Sequence, residues 1–95
     1  MTKPTLPMLE AITHTTLGDD VFQEDPTTNA LQEYMAERTK QESALLVMSG
    51  TMGNQVAIRT HLVQPPYAVL CDHRSHIIHY EAGGVSAWTG ATVIG

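Results

Sequence analysis

Ala44-Leu45-Leu46-Val47-Met48-Ser49-Gly50-Thr51-Met52-Gly53-Asn54 decides how this chain is read. The unbroken apolar run Ala44–Met48 reads as a parallel strand buried on both faces. Thr51 to Val63 reads as the helix that follows it. Ser49 and Gly50 then turn the chain so that the first free amides of that helix face a crevice. Those amides, the Thr51 hydroxyl and the helix dipole suit one anionic group, above all a phosphate. Gly50 lets the backbone approach such an anion with no Cβ in the way. The residues alone leave a second reading open, a glycine-bearing strand-to-helix turn that binds nothing.

Neighbouring phosphate motifs fail on chemistry. A P-loop ends in Gly-Lys-Ser/Thr, and no Lys or Arg stands between Ser43 and Ile58. The dinucleotide fingerprint needs GxGxxG, and only Gly50 and Gly53 are present. What remains suits a small phosphate monoester better than a pyrophosphate or a triphosphate.

Outward from this stretch the pattern alternates. Toward the N-terminus, Pro7 to Thr13 reads as a short helix and Leu17 to Asp25 as a polar loop. Pro26 to Lys40 reads as a longer helix, with Asp25 as its N-cap and Pro26 in its first position. Leu31, Tyr34 and Met35 share one face of it, while Glu33, Glu37 and Lys40 form a solvated face. Toward the C-terminus come a turn at Gln64-Pro65-Pro66, a strand Ala68–Cys71 and a short helix Ser75–Glu81 ended by Gly83-Gly84. A last strand covers Ala91–Gly95. This order predicts the α/β class, a mostly parallel sheet with helices on both faces and sites at the carboxyl ends of its strands. Ser49 and Asp72 to His76 both fall at such ends, so one pocket is expected from the two segments.

Composition narrows the partners. The formal charge is −5, from ten acidic and five basic residues, with no basic patch to hold nucleic acid. The single cysteine, Cys71, forms no internal disulfide and reads as a buried small hydrophobe. No apolar run approaches the ~20 residues of a membrane span, and Met1 to Glu10 lacks a signal-peptide core, so no membrane partner and a cytoplasmic location are expected. His73, His76 and His79 invite a metal reading. On a helix, however, His73 and His79 end up roughly 120° apart and converge poorly on one ion. No metal is expected, and His73 and His79 read as surface or core residues.

Three segments together resemble a known family. Gly18-Asp19-Asp20-Val21-Phe22-Gln23-Glu24-Asp25-Pro26, Ser49-Gly50-Thr51-Met52-Gly53-Asn54 and Ser75-His76-Ile77-Ile78-His79-Tyr80-Glu81-Ala82-Gly83-Gly84 look like the low-specificity L-threonine/L-allo-threonine aldolases of fungi and bacteria. Those enzymes belong to the aromatic amino acid β-eliminating lyase/threonine aldolase superfamily. The segments stand in family order with family-like spacing and span most of the 95 residues.

The resemblance implies pyridoxal 5'-phosphate as cofactor and retro-aldol cleavage of a β-hydroxy-α-amino acid, giving glycine and, from threonine, acetaldehyde. It implies that Gly50 and Thr51 grip the cofactor phosphate. It implies that His76 stacks on the cofactor ring and is a candidate for proton transfer at the substrate hydroxyl. A flat imidazole with an ordinary pKa near ~6.5 suits both tasks. Glu81, five residues further on, is within reach to orient such a group and equally to cap the next segment or stand in solvent, and the resemblance puts Phe22 near a substrate pocket assembled across a subunit interface. Many family members have Tyr where this chain has Phe22.

It further implies the large cofactor-binding domain of a fold-type I enzyme, with these residues as its truncated N-terminal part and the rest of that domain and a small C-terminal domain beyond. Met1 standing where family members carry Ser-Asp-Thr agrees with that expectation. So does the family's cofactor-bearing lysine, which falls beyond residue 95; Lys3 and Lys40 are the only lysines here. A homo-oligomer, a tetramer in the full-length parent, is expected. Two other readings stand beside the aldolase: a non-catalytic remnant that binds a phosphate-bearing ligand or intact subunits, and a β-eliminating amino acid lyase on the same scaffold.

Overall fold

Thr5 opens the first helix, α1 (Leu6–Thr13), by accepting the Met8 amide on its hydroxyl, with Pro7 in the first turn where no amide is missed. The computed structural model describes residues 3–95 as two compact units, divided between Leu46 and Val47. The comparison made at Met1 and Thr2 lies outside the described residues.

In the first unit the loop after α1 is tied to the start of α2 (Pro26–Thr39) by one carboxylate. Asp25 accepts the Thr27 and Thr28 amides as N-cap and the Gly18 amide from across the loop. The Thr28 amide first, then those of Gly18 and Thr27, hold its carboxyl below the usual aspartate value. A Cβ at Gly18 would overlap the Glu24 carbonyl, so this approach of two backbones requires glycine. Inside the loop, Asp20–Phe22 forms a 3-10 turn with the Asp19 carboxylate on the Val21 amide.

Ala44–Met48 is not a strand. It has no ladder partner among the described residues, bends at Met48, and leaves Leu45, Leu46 and Met48 exposed. The Leu46 amide donates instead to the side-chain carbonyl of Gln32 on α2. Hydrophobicity specified an extended run, but a strand also needs a neighbour to pair with.

The second unit starts α3 (Gly50–His61) at Ser49, whose hydroxyl accepts the Met52 amide. Next come β1 (Ala68–Leu70), α4 (His76–His79), α5 (Gly84–Thr89) and β2 (Thr92–Ile94). β1 and β2 pair in parallel, Ala68 with Thr92, Val69 with Val93 and Leu70 with Ile94. The chain is therefore α/β with a two-stranded parallel sheet. Val85 and Ala91 are its buried apolar residues. Thr89 is buried beside them, donating to the Val85 carbonyl and accepting the Ala91 amide.

Gly83-Gly84 do not end the helix before them. α4 stops at His79, and Gly83, at φ 73°, caps the start of α5, a helix the sequence reading lacks. Cys71 is half-buried rather than buried, its amide extending the ladder to the Ile94 carbonyl. No helix among the described residues is long and apolar enough to cross a membrane.

Candidate active site

The N-terminus of α3 has spare donors. Ser49 satisfies the Met52 amide with its hydroxyl and the Gly53 amide with its carbonyl. The Gly50 and Thr51 amides and the Thr51 hydroxyl take no partner among the described residues. A Cβ built on Gly50 meets nothing within 4 Å, so the space beside that backbone is open. Two spare amides, a hydroxyl and the positive end of a 12-residue helix fit a phosphate monoester.

A second cluster joins α3 to the α4 segment. Glu81 is buried, its side chain wholly closed to solvent. Its Oε1 accepts the Asn54 side-chain amide at 2.7 Å and lies 2.9 Å from His76 Nδ1. Its Oε2 accepts the Gln55 side-chain amide at 3.4 Å. The Asn54 bond first, then the His76 bond, hold the Glu81 carboxyl below the ordinary glutamate value, against the opposing pull of desolvation. An ionised carboxylate only accepts, so His76 donates from Nδ1, and in the neutral imidazole the lone pair is then on Nε2. The imidazole remains 57% exposed, with the Tyr80 ring tilted against it at 5.2 Å between centroids.

A tight turn brings Glu81 to this place. The Gly84 amide donates to the Glu81 carbonyl, with φ of 49° at Ala82 and 73° at Gly83, as in a type I′ turn. Ala82 is a non-glycine residue in the left-handed region, a local strain beside the cluster. A Cβ on Gly84 would overlap the Gln55 amide nitrogen, so that glycine leaves room for Gln55 to reach Glu81.

His76 and Glu81 are thus in direct contact, and both are linked to α3 three residues after Thr51. Neither cavity of this unit, the one beside Trp88 nor the one beside His73, is lined by Ser49 together with Asp72–His76; what joins α3 to His76 is the Asn54–Glu81–His76 hydrogen bonding. A cavity of about 880 Å³ lined by Met52, Val56, Arg59, Val63 and Trp88 among others, and one of about 430 Å³ lined by His73, Ile78 and Val93 among others, include none of Gly50, Thr51, His76 or Glu81. Phe22 belongs to the first unit, exposed at the end of the Asp20–Phe22 turn. His79 spends Nε2 on the His73 carbonyl at 2.7 Å, and the His73 ring is exposed beside Asp72. Sequence reasoning missed Asn54, Gln55 and Gly84. Asn54 stood inside the quoted motif, but nothing in its spacing announced a carboxylate 27 residues away.

The model of a family described as beta-eliminating lyase matches residues 1–95. An aldolase, vrtJ, of Penicillium aethiopicum is 55% identical over 98% of this chain and 24% of its own length. A low-specificity L-threonine aldolase of Eremothecium gossypii is 45% identical over 97% of the chain and 24% of its own length. An alanine racemase, TOXG, of Cochliobolus carbonum is likewise 45% identical, over 96% of the chain and 23% of its own length. The chain spans about a quarter of the length of these curated relatives.

Proposed function

The chain belongs to the beta-eliminating lyase family, and from that premise we propose that the intact protein is a pyridoxal 5'-phosphate-dependent threonine aldolase. It cleaves the Cα–Cβ bond of L-threonine or L-allo-threonine to give glycine and acetaldehyde. In this reading residues 1–95 belong to the N-terminal part of the large cofactor-binding domain of a fold-type I enzyme that works as a cytoplasmic homo-oligomer, a tetramer. The observation that carries it is His76, held at Nδ1 by buried Glu81 with Nε2 and its exposed ring left free. The named aldolases among the relatives support the same reaction class.

The cofactor, when bound, supplies an electron sink for the pair released at Cα. The chain's own residues do the rest. Gly50 and Thr51 hold the phosphate with amides and a hydroxyl, and the helix dipole offsets its charge. With the cofactor bound, His76 would cover its ring and its Nε2 would take the proton from the substrate's β-hydroxyl as the Cα–Cβ bond opens, a proton then returning to Cα to complete glycine. Glu81 holds the imidazole in position and stabilises the imidazolium that forms. Phe22 would lie near a substrate pocket assembled across a subunit interface, with no hydroxyl to donate there.

Feeding purified intact protein L-threonine and L-allo-threonine tests the proposal directly. Glycine and acetaldehyde in equal amounts are the expected products. The racemase relative favours a second reading, proton exchange at Cα without carbon loss. Racemised amino acid in deuterated water with no glycine would install that reading, and pyruvate from a β-substituted amino acid would install the β-eliminating one.

Two further results are expected. Thr51→Val weakens cofactor binding roughly 10- to 150-fold, the worth of a hydrogen bond to a charged group, read by absorbance titration of the cofactor. Unchanged affinity removes Thr51 from the phosphate site. Borohydride reduction of the cofactor-loaded protein, followed by peptide mapping, labels neither Lys3 nor Lys40. Lys40 sits exposed in a left-handed conformation at the C-terminal cap of α2. A stoichiometric label on it would overturn the assignment of the cofactor lysine to another position.

A further inference from the structure

The bonds around Glu81 are unequal. Asn54 gives the shortest at 2.7 Å, and Gln55 stands back at 3.4 Å on the other oxygen. Both come from consecutive residues on the second turn of α3, the helix whose first turn carries Gly50 and Thr51. A carboxylate closed to solvent has lost its water and needs donors to stay charged. The α4 segment supplies only His76, and α5 gives the carboxylate no donor, its Gly84 amide going to the Glu81 backbone carbonyl. The titratable groups about the pair are His76 and Glu81 themselves, with Tyr80 against the imidazole and His79 beyond Tyr80.

We propose that Asn54, seconded by Gln55, is a positioning residue that keeps Glu81 as the acceptor for His76 Nδ1 and so leaves the lone pair on Nε2. This rests on the reading of His76 as the proton-transferring group. Its physical basis is that Asn54 donates and carries no charge. A hydrophobe there leaves the buried carboxylate short of one donor. A carboxylate there sets two anions side by side, and one of the two takes a proton. Either change makes the His76–Glu81 pair bind a proton at higher pH, and protonation removes the form in which Nε2 can accept. Asn54 also links the two halves of the site.

The test compares Asn54→Leu and Asn54→Asp with the parent, both in the intact protein. Asn54→Asp is isosteric and serves as the second variant should Asn54→Leu fail to fold. With histidine ring carbons labelled, and the His76 signal assigned by its loss in His76→Asn, the cofactor-free protein is titrated by NMR. The midpoint for proton uptake by the pair is expected to rise by about 1 to 2 pH units in Asn54→Leu and further in Asn54→Asp. The acidic limb of kcat/KM moves with it, while the plateau at high pH changes less than tenfold. Gln55→Leu shifts both by less. Unmoved midpoints in both Asn54 variants, whatever their stability, overturn the proposal. The NMR arm uses neither substrate nor cofactor. An absent aldolase activity with shifted midpoints therefore condemns the function and leaves the positioning role standing.

Discussion

His76→Asn in the intact protein lowers turnover by about 10²- to 10⁴-fold, the range expected when a side chain that moves a proton in the transition state is removed. Asparagine keeps a flat polar group able to donate to Glu81 but has no lone pair of suitable basicity where Nε2 stands. The loss therefore falls mainly on kcat. Affinity for the cofactor is expected to fall less, since in the proposed site stacking on His76 would be only one of its contacts. His79→Asn is the internal control. His79 has committed Nε2 to the His73 carbonyl, so its replacement is expected to cost less than tenfold. Steady-state kinetics on both variants, with cofactor content checked by absorbance, gives the comparison. Equal losses would sink the choice of His76 as the special histidine. A loss below tenfold for His76→Asn would leave it a ring cover alone.

Local signals carried the helices. Asp25-Pro26 named both the cap and the first position of α2, and Ser49-Gly50 marked where α3 begins, because capping is chemistry between neighbours in sequence. Pairing is not. The apolar run Ala44–Met48 is equally compatible with an unpaired extended segment, and only a hydrogen-bonding neighbour makes such a run a strand. Gly83 misled for a related reason. A left-handed glycine after a helical pattern looks the same whether it closes one helix or caps the next, and here Val85 and Thr89, buried one turn apart, define a further helix. The site divides along the same line. Thr51 beside Gly50 and Glu81 five residues after His76 were visible because the sequence places them close. Asn54 and Gln55 reach Glu81 through tertiary packing, with Gly84 making room, and no spacing rule encodes that contact.

Glu81→Gln keeps the shape of the side chain and is expected to lower turnover by about 10²- to 10⁴-fold, and to lower the melting temperature at neutral pH, where the carboxylate is held by donors that an amide cannot all satisfy. The size of the loss depends on which way that amide settles. With its oxygen toward His76 it still accepts the Nδ1 proton, and the loss is the missing negative charge beside the developing imidazolium, near the lower figure. With its NH2 toward His76 the imidazole must accept at Nδ1, the proton moves to Nε2, and the loss approaches the upper figure. Asn54 favours the first arrangement, since its amide already donates at Oε1 and would oppose a second NH2 there.

The same bonds fix the sign of the pH dependence. Glu81 ionises below the ordinary glutamate value, chiefly through Asn54 and then His76. Its contribution to stability is therefore present in full above that ordinary value and is lost as pH falls through the lowered one. Acid melting curves of the parent should show that loss, and those of Glu81→Gln should lack it, since glutamine does not titrate. A variant that kept full turnover, or that melted in acid as the parent does, would show that Glu81 neither orients His76 nor carries charge in the folded protein.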